Sequence, residues 1–369
     1  MTDTAGTKRA LLSMPTSIGD VDTTWLTGAL QSCFPGAAVK AVSVETIGTG
    51  VGLMGLLYRV TVDYEGSALS GPRSLIVKLP VLIDATRQVA AAYRHYEKEV
   101  AFYADLAPLT AVATPQVFYG AHDKDTDNFV LVMEDLRGLR PADQVAGCDP
   151  EDSRAAMAAL AAHHASFWDD SKVVGDAYPW LPFGSDAPTP QGIKQGFAAY
   201  WEPFVEFMDE GLDPRILPLG DWVPAHAEDL LSVPPSRPFT VVDGDYRLDN
   251  LFFDEDRNVT VLDWQIATKG VGGYDFGYFV SQSLTVEERR ARLDDLAATY
   301  LGSLSAAGIT YDLPDFWDDV RKCVLFCLTY PVQIMALDLT DARAAALVRE
   351  IANRSTSAIL ELGALELIE

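Results

Sequence analysis

The sequence has few cysteines and no long apolar run. Its 369 residues contain four cysteines, namely Cys33, Cys148, Cys323 and Cys327. They are too scattered for a disulfide framework, and core packing is the expected role of the last two. Although 49% of the residues are apolar, no stretch reaches the ~18 residues of a membrane span. The apolar segment near the N-terminus is too short for a signal peptide, so we expect a cytoplasmic protein without a membrane partner.

Basic residues are scarce as well. There are 28 Lys and Arg against 53 Asp and Glu, a formal net charge of −25. That balance argues against a nucleic-acid partner. The acidic excess is compatible with a cationic substrate or with a solvated surface, and composition does not decide between them. The length predicts about two domains or lobes.

The most informative segment is a polar run, residues 243–250, that lies between apolar runs. Residues 239–242, 251–253 and 259–262 are predicted to form short buried strands. Residues 254–258 carry turn-forming side chains and join the last two strands into a hairpin.

Antiparallel pairing about the middle of that turn sets Leu251 opposite Leu262. One step further along, Asn250 then lies opposite Asp263. An amide oxygen beside a carboxylate, with other positions left to water and phosphate, is a usual way to hold Mg²⁺ with a nucleotide. Asp245 remains as a separate carboxylate that faces the same space.

This polar run, together with Asp263, resembles the catalytic loop of the protein-kinase-like superfamily. The resemblance implies that Asp245 is the base that accepts the hydroxyl proton. It also implies that Asn250 and Asp263 hold Mg²⁺ and that Arg247 faces the γ-phosphate. The chain has Asp243 where the related proteins usually have a histidine that braces the loop, which affects loop rigidity more than the reaction.

Within the superfamily, the residue pattern of this chain is similar to that of small-molecule kinases. Gly244, residues 263–265 and residues 270–279 resemble the aminoglycoside phosphotransferase, choline kinase and ecdysteroid-kinase-like group. The resemblance extends over residues 45–283. It implies ATP and Mg²⁺ as cofactors and a small-molecule hydroxyl acceptor as partner.

A glycine motif lies upstream. Gly50, Gly52 and Gly55 fit G-x-G-x-x-G, a spacing that dinucleotide-binding folds share. Residues 56–64 alternate between two faces, which predicts a strand after the motif and not the helix of a dinucleotide-binding fold. We therefore expect a flexible flap between two strands, whose backbone N–H groups cover phosphates.

Lys78 ends an otherwise apolar strand, residues 74–80. A buried ammonium group needs a partner because its desolvation is costly. In the helix predicted at residues 84–106, Glu97 and Glu99 flank opposite edges of the apolar stripe, and geometry does not choose between them. The resemblance favours Glu99, and implies that the pair aims Lys78 at the α and β phosphates.

Residues 128–136 form a predicted strand that crosses between the lobes. By the resemblance, an adenine ring contacts the backbone around Met133, Glu134 and Asp135. His164, on a predicted helix, is expected to be structural because a single His there is more often a satisfied core residue.

The acceptor site is the least informative part of the sequence. By the resemblance, residues 151–238 form a helical insert that builds the acceptor pocket. Tyr200, Trp201, Phe204 and Phe207 fall at helical spacing within it, and Trp264 adds aromatic surface. Tyr200, Trp201 and Trp264 are candidate acceptor contacts, although such a stripe is more often part of a core.

We expect an α+β, two-lobed protein-kinase-like fold. Residues 1–133 are predicted to form an N-lobe with an N-terminal helix and a five-stranded antiparallel sheet, residues 134–140 a hinge, and residues 141–369 a mainly helical C-lobe. The predicted activity is ATP-dependent phosphorylation of a small-molecule hydroxyl. The alternative is a nucleotide-binding pseudokinase acting through a partner. The acceptor and the oligomeric state are not predicted.

Overall fold

The computed structural model describes residues 12–48, 54–66, 71–186, 188–336 and 342–368. The chain forms two compact units. The first contains residues up to Ala104 together with Pro115–Leu136, and the second contains Asp105–Thr114 and the residues from Arg137 onward.

The described part of the first unit contains a five-stranded antiparallel sheet, as expected. Its order is β1-β2-β3-β5-β4. Alternating apolar residues of the strands pack with the amphipathic helix α1, whose Trp25 and Leu26 are buried against Val60 and Val62. The elements are α1 (Thr23–Leu30), β1 (Val39–Ile47), β2 (Gly55–Tyr64), β3 (Ser74–Pro80), α2 (Asp84–Ala92), α3 (His95–Ala101), β4 (Val117–Asp123) and β5 (Asn128–Glu134).

The long helix predicted at residues 84–106 is wrong. Arg94 has a left-handed backbone (φ 55°) that ends α2 and starts α3, and a π-helical turn, Phe102–Leu106, follows α3. The break rotates the two helices out of a common register, so the predicted apolar stripe is not continuous. Val89 is 41% exposed, whereas Tyr96 is fully buried and stacks on Phe129 with 4.3 Å between ring centroids.

The second unit is mainly helical. Its short strands form two small sheets, β10-β7 and β6-β8-β9. Its helices are α4 (Pro150–Phe167), α5 (Ser171–Val174), α6 (Thr189–Met208), α7 (Leu219–Ala225), α8 (Ala227–Leu231), α9 (Gly273–Gln282), α10 (Val286–Ala306), α11 (Leu313–Cys327), α12 (Thr329–Gln333) and α13 (Ala342–Glu361). Its strands are β6 (Arg140–Pro141), β7 (Thr240–Val242), β8 (Leu251–Phe253), β9 (Val259–Val261) and β10 (Thr268–Gly270).

The β8–β9 hairpin exists, but its predicted register is wrong by one residue. Leu251 pairs with Val261 and not with Leu262. Arg257 takes a left-handed backbone (φ 63°), and Asp254 N–H donates to Asn258 O at 3.1 Å, which centres the turn one half-step earlier than predicted.

Helix α9 packs closely on α11. A Cβ atom on Gly273 would lie 2.8 Å from Asp319 Cβ, and one on Gly277 would lie 2.9 Å from Cys323 Cβ. Only glycine permits this approach, which fixes the position of the whole of α9. Cys323 and Cys327 are buried, and no disulfide forms among the described cysteines.

In the part of the chain that the structure describes, no helix is both long enough and apolar enough to cross a membrane.

Candidate active site

Asp245 follows β7 in the second unit, and three side chains donate hydrogen bonds to its carboxylate. Tyr278 Oη–H and Arg247 Nε–H donate to Oδ1 at 2.6 and 3.0 Å. Asn250 Nδ2–H donates to Oδ2 at 3.0 Å. The carboxylate is therefore fixed in orientation while part of it stays exposed, with 17% of the side-chain surface accessible.

The charge states of these partners keep them as donors. Burial, followed by the negative charge of Asp245, raises the pKa of Tyr278 well above its usual range. Burial lowers the pKa of Arg247, but the charges of Asp245 and Asp249 outweigh it, so the pKa is raised overall. Arg247 also contacts Asp249 Oδ2 at 2.7 Å, which holds the guanidinium in place.

Asp275, on the first turn of α9, holds the backbone of the loop that carries Asp245. Its carboxylate accepts the backbone N–H groups of Asp243 and Gly244 at 2.8 and 2.9 Å. His164 Nε2 lies 3.0 Å from the same carboxylate, and its Nδ1 lies 2.7 Å from Tyr300 Oη. Both polar ends of His164 are thus engaged in the core, in agreement with a structural role.

Asp243 itself is fully buried. Its Oδ1 accepts the backbone N–H of Asp245 at 3.0 Å, and its Oδ2 has no hydrogen-bond partner. Burial, followed by the charges of Asp275 and Asp245, raises the pKa of Asp243 well above its usual range.

Asn250 and Asp263 lie at the end of the hairpin, one register step apart and not directly opposite as predicted. Leu262 N–H donates to Asn250 O at 3.0 Å, and Asp263 follows with a left-handed backbone (φ 66°). The amide nitrogen of Asn250 donates to Asp245, both to the backbone oxygen at 2.9 Å and to the carboxylate. Its amide oxygen therefore remains available to a cation.

In the first unit, Lys78 Nζ lies 2.8 Å from Glu99 Oε1, and both side chains are buried. Glu97 instead faces Arg94 at 2.7 Å and Lys124 at 3.2 Å. The hydrogen bond from Arg94, followed by that from Lys124, lowers the pKa of Glu97 to about 2 against the opposing effect of burial.

Gly55 begins β2 directly over the lysine. A Cβ atom there would lie 3.0 Å from Lys78 Cε and 3.4 Å from Leu79 O. A side chain at this position would therefore press on the aliphatic part of Lys78. Gly50 and Gly52 lie outside the described residues.

At the end of β5, the side chain of Asp135 is held within the unit. Its carboxylate accepts Arg59 Nε–H at 3.0 Å and Ser74 Oγ–H at 2.5 Å. Glu134 N–H donates to Gln116 O at 2.9 Å, so this N–H is already used. Met133 is buried within the sheet.

Trp201, on α6 of the predicted insert, is half-buried. Its ring stacks on Phe197 at 5.2 Å and lies 5.7 Å from Phe204. The neighbouring Tyr200 is half-buried as well. Beside Trp201 is a surface cavity of about 460 Å³. Its lining comprises Trp201, Glu202, Val205, Glu206, Leu217, Gly220 and Asp221.

The tentative assignment of Trp264 as an acceptor contact is wrong. The side chain is fully buried, packs against His163 with 4.7 Å between ring centroids, and donates from Nε1 to Val261 O at 3.3 Å. The left-handed backbone at Asp263 starts a 3₁₀ turn that directs Trp264 into the core.

Sequence reasoning missed the roles of Asp275 and Tyr278. Both fall in residues 270–279, which resemble the small-molecule kinases, but no role was attached to them. Their spacing of three residues on a helix places them on one face. The sequence signal that could have found them is an Asp and a Tyr on the same face of a mainly apolar helix.

The sequence pattern of the phosphotransferase enzyme family (APH) matches residues 68–314, which is more than half of the chain. The chain belongs to this family. No curated protein sequence matches it.

Several solved structures of small-molecule phosphotransferases have a similar fold. A putative aminoglycoside phosphotransferase from Ralstonia eutropha JMP134 is 19% identical, with a TM-score of 0.50 over 91% of this chain and 98% of that chain. Amicoumacin kinase in complex with AMP-PNP, Ca²⁺ and its ligand is 12% identical, with a TM-score of 0.53 over 85% and 87%. The GDP complex of aminoglycoside 2'-phosphotransferase-IIIa is 15% identical, with a TM-score of 0.52 over 90% and 98%. At these identities the likeness establishes the fold, and the α+β kinase-like class is confirmed.

Proposed function

We propose that this small-molecule phosphotransferase moves the γ-phosphoryl group of ATP to a hydroxyl of its acceptor, with Asp245 as the base. The observation that carries the proposal is the carboxylate of Asp245, held by Tyr278, Arg247 and Asn250 on a loop with the order of a kinase catalytic loop. A base must be fixed within hydrogen-bond reach of the proton that it takes.

The hydrogen bonds distinguish the two oxygens of this base. Each carboxylate oxygen has two lone pairs in the carboxylate plane. Oδ1 accepts from two donors, Tyr278 and Arg247, whereas Oδ2 accepts from Asn250 alone. The acceptor hydroxyl therefore donates to the remaining lone pair of Oδ2.

Asn250 and Asp263 supply two hard oxygen ligands that fit Mg²⁺. The donor set fits because the amide nitrogen of Asn250 is turned toward Asp245, which presents the oxygen on the other side. When bound with ATP, Mg²⁺ neutralises charge that develops on the phosphates. No group of three His, Cys, Asp or Glu side chains suited to a metal occurs in the described ranges, so phosphate oxygens and water would complete the coordination.

In the first unit, Lys78 and Glu99 are assigned to the nucleotide. A buried ion pair holds the ammonium in one direction, as a phosphate-contacting lysine requires. The nucleotide complexes of the similar structures, with AMP-PNP and with GDP, support nucleotide use by this fold. The backbone around Met133, Glu134 and Asp135 is assigned to adenine, with the N–H of Glu134 excluded because it already has a partner.

The acceptor is proposed to bind to the insert, in which a cavity lies beside Trp201. Three carboxylates, from Glu202, Glu206 and Asp221, line it together with the Trp201 ring. Such a lining favours an acceptor that carries an amino group or another cation next to its hydroxyl. Aminoglycosides and choline-like amines meet this description, whereas sterols and hydroxy acids do not.

The test is an acceptor screen that measures nucleotide turnover with aminoglycosides, choline-like amines, sterols, sugars and hydroxy acids. With the acceptor that is found, Asp245→Asn should lower kcat by roughly 10²–10⁴-fold and leave ATP affinity nearly unchanged, because the base acts on the hydroxyl. Asp249→Asn is the matched control. It removes the charge of a loop carboxylate that contacts Arg247, which in turn contacts Asp245, and should therefore have a much smaller effect.

Turnover of Asp245→Asn within tenfold of the wild type would remove Asp245 from the role of base. ATP binding with no turnover on any acceptor class would favour a nucleotide-binding pseudokinase.

Asp263→Ala should abolish the Mg²⁺-dependent tightening of ATP binding, which calorimetry measures without any acceptor.

A further inference from the structure

Asp243 lies two residues before Asp245, and its side chain has no accessible surface. One oxygen, Oδ1, accepts the backbone N–H of Asp245 at 3.0 Å. The other, Oδ2, is buried and has no partner. In the described part of the chain, the side chain of Asp243 forms no ion pair, so the N–H of Asp245 is the one contact that would offset a negative charge on it.

The charged groups that act most strongly on Asp243 are acidic. Asp275 on α9 and Asp245 in the loop have the largest electrostatic effects, and Asp263 after β9 has a smaller one. The two cationic or polar groups nearby are used by these neighbours: Arg247 pairs with Asp245, and His164 on α4 contacts Asp275. Tyr246, the other titratable neighbour in the loop, donates its hydroxyl to a backbone oxygen of α4 and not to Asp243.

The two buried side chains, Asp275 and Asp243, therefore differ in their hydrogen-bond partners. Asp275 receives two backbone N–H groups and contacts His164, so both of its oxygens have hydrogen-bond partners. Asp243 receives one N–H and keeps a bare oxygen. A buried oxygen with no donor facing it is compatible with a carboxylic acid, whereas a carboxylate in this place would be strongly unfavourable.

We propose that Asp243 is a positioning residue that functions as a neutral carboxylic acid, with the proton on Oδ2, so that Oδ1 can hold the backbone N–H of Asp245 without adding a second buried negative charge beside Asp275. The raised pKa of Asp243, caused by burial and then by Asp275 and Asp245, agrees with this state. The consequence for catalysis rests on the proposed function, since it assumes that Asp245 is the base.

The proposal makes Asn the closest functional substitute for Asp243. Asn keeps the acceptor oxygen, has the same shape and carries no charge. Ala removes the oxygen that holds Asp245 N–H. A neutral acid therefore predicts that Asp243→Asn resembles the wild type at neutral pH and that Asp243→Ala does not. An ionised Asp243 predicts that both variants differ from the wild type.

The first experiment measures urea unfolding of wild type and Asp243→Asn from pH 5 to 8, and needs no activity. In the unfolded chain an Asp ionises near pH ~3.9, whereas the folded protein retains the proton to higher pH. Folding then takes up a proton in this window, so stability relative to Asp243→Asn is fully present below that pH and falls as pH rises. The ratio of folding equilibrium constants, wild type over variant, should fall by up to about tenfold per pH unit. A ratio that does not change with pH would overturn the proposal.

Asp254→Asn is the matched control for this titration. Hydrogen bonds from Asn258 lower the pKa of Asp254, the opposite direction to Asp243. Its contribution to stability is present above the unfolded pKa, so the same ratio should be constant between pH 5 and 8. A slope in this control equal to that of Asp243→Asn would assign the effect to the assay and overturn the interpretation.

The second experiment measures kinetics at neutral pH with the acceptor found in the screen. Asp243→Asn should retain kcat within about threefold, and Asp243→Ala should lose tenfold or more in kcat with the KM for ATP within twofold. Equal losses in both variants, or no loss in either, would overturn the positioning role. If no acceptor is phosphorylated at all, the proposed function fails, while the unfolding experiment still decides the charge state of Asp243.

Discussion

Tyr278 contacts Asp245 from α9 through the shortest of the three hydrogen bonds to that carboxylate. The phenol remains protonated because burial raises its pKa, so it can only donate to the carboxylate. Its ring also packs edge-on against Tyr330 with 5.1 Å between centroids, which restricts movement of the ring. The geometry of the proposed base thus depends on a residue that lies 33 positions further along the chain.

Tyr278→Phe should lower kcat by roughly tenfold and leave the KM for ATP unchanged, because only the hydroxyl that orients Asp245 is lost. Steady-state kinetics measure both. Tyr274→Phe is the matched control, since the Tyr274 hydroxyl contacts Tyr330 Oη at 3.2 Å and not Asp245. Equal losses in the two variants would show that the aromatic cluster acts through packing and not through the hydrogen bond to the base.

Sequence reasoning could select Asp245, Asn250 and Asp263 as candidates because polar residues between buried strands have few explanations other than chemistry. It could not assign Asp275 and Tyr278, because their contacts exist only when α9 docks against the loop. That docking depends on two close backbone approaches, at Gly273 and Gly277, which involve α11 far along the chain.

Helix α3 carries Glu97, Lys98 and Glu99, and each faces a different environment. The predicted single helix left the choice between Glu97 and Glu99 open on geometry. The left-handed residue Arg94 rotates α3 relative to α2, and its side chain takes Glu97 as partner. Glu99 is thereby the carboxylate that faces Lys78.

A double-mutant cycle with Lys78→Ala and Glu99→Ala should give an interaction free energy of about 1 kcal/mol or more, measured from both urea unfolding and ATP affinity, because the pair is buried. The same cycle with Glu97→Ala should give about zero. Interaction with Glu97 and none with Glu99 would reverse the assignment of the lysine partner.

Lys98, between these two acids, is buried and forms no ion pair in the described residues. Burial, followed by the charge of Arg94, lowers its pKa from 10.5 to about 7. The folded protein therefore binds one proton fewer than the unfolded chain between pH 7 and about 10.4. By linkage, burying Lys98 lowers the free energy of unfolding by its full amount below pH 7. This destabilisation disappears as pH rises toward about 10.4.

Lys98→Met should accordingly stabilise the protein by roughly 2–4 kcal/mol at pH 6, with the gain shrinking as pH rises to 9. Urea unfolding at the two pH values measures this. Lys172→Met, at an exposed position, should change stability by less than about 0.5 kcal/mol at either pH. A gain for Lys98→Met that grows with pH would contradict a lowered pKa.

The β8–β9 hairpin shows a limit of pattern reasoning at the scale of an element. Its existence followed from two apolar runs and a polar turn, but its register depended on one left-handed residue, Arg257, which has no glycine signal. A shift of one residue changes which side chains are opposite each other. Asn250 and Asp263 were consequently predicted as direct partners, whereas they lie one step apart.

Across the whole molecule, the net charge of −25 implies mutual repulsion among acidic residues. Raising NaCl from about 0.01 to 0.15 M shortens the Debye length from about 30 to 8 Å. The melting temperature should therefore rise with salt. Scanning calorimetry measures the shift, with sucrose at equal osmolality as a control for non-ionic effects. A melting temperature that falls with salt would mean that ion pairs outweigh the repulsion.

The fold class could be predicted from the order of the motifs, since a glycine motif, a lysine strand and a catalytic loop in sequence are specific to one architecture. Which segments of the chain form each unit could not be predicted in this way. Asp105–Thr114 belongs to the second unit although it precedes β4 of the first. Ala113 O accepts Val261 N–H at 2.9 Å, and Asp105 accepts Trp180 Nε1–H at 2.7 Å. No local periodicity encodes such distant partners.

This connectivity has a consequence for synthesis of the protein. A chain that grows from its N-terminus completes the sequence of the first unit at Leu136, while Asp105–Thr114 still has none of its partners. The hydrogen-bond partner of Asp105 is Trp180, and that of Ala113 is Val261. Both partners are synthesised later than the segment itself. The second unit can therefore close only after Val261 has been made. A fragment that starts at Arg137 would lack this segment and leave Val261 N–H and Trp180 Nε1–H without their acceptors.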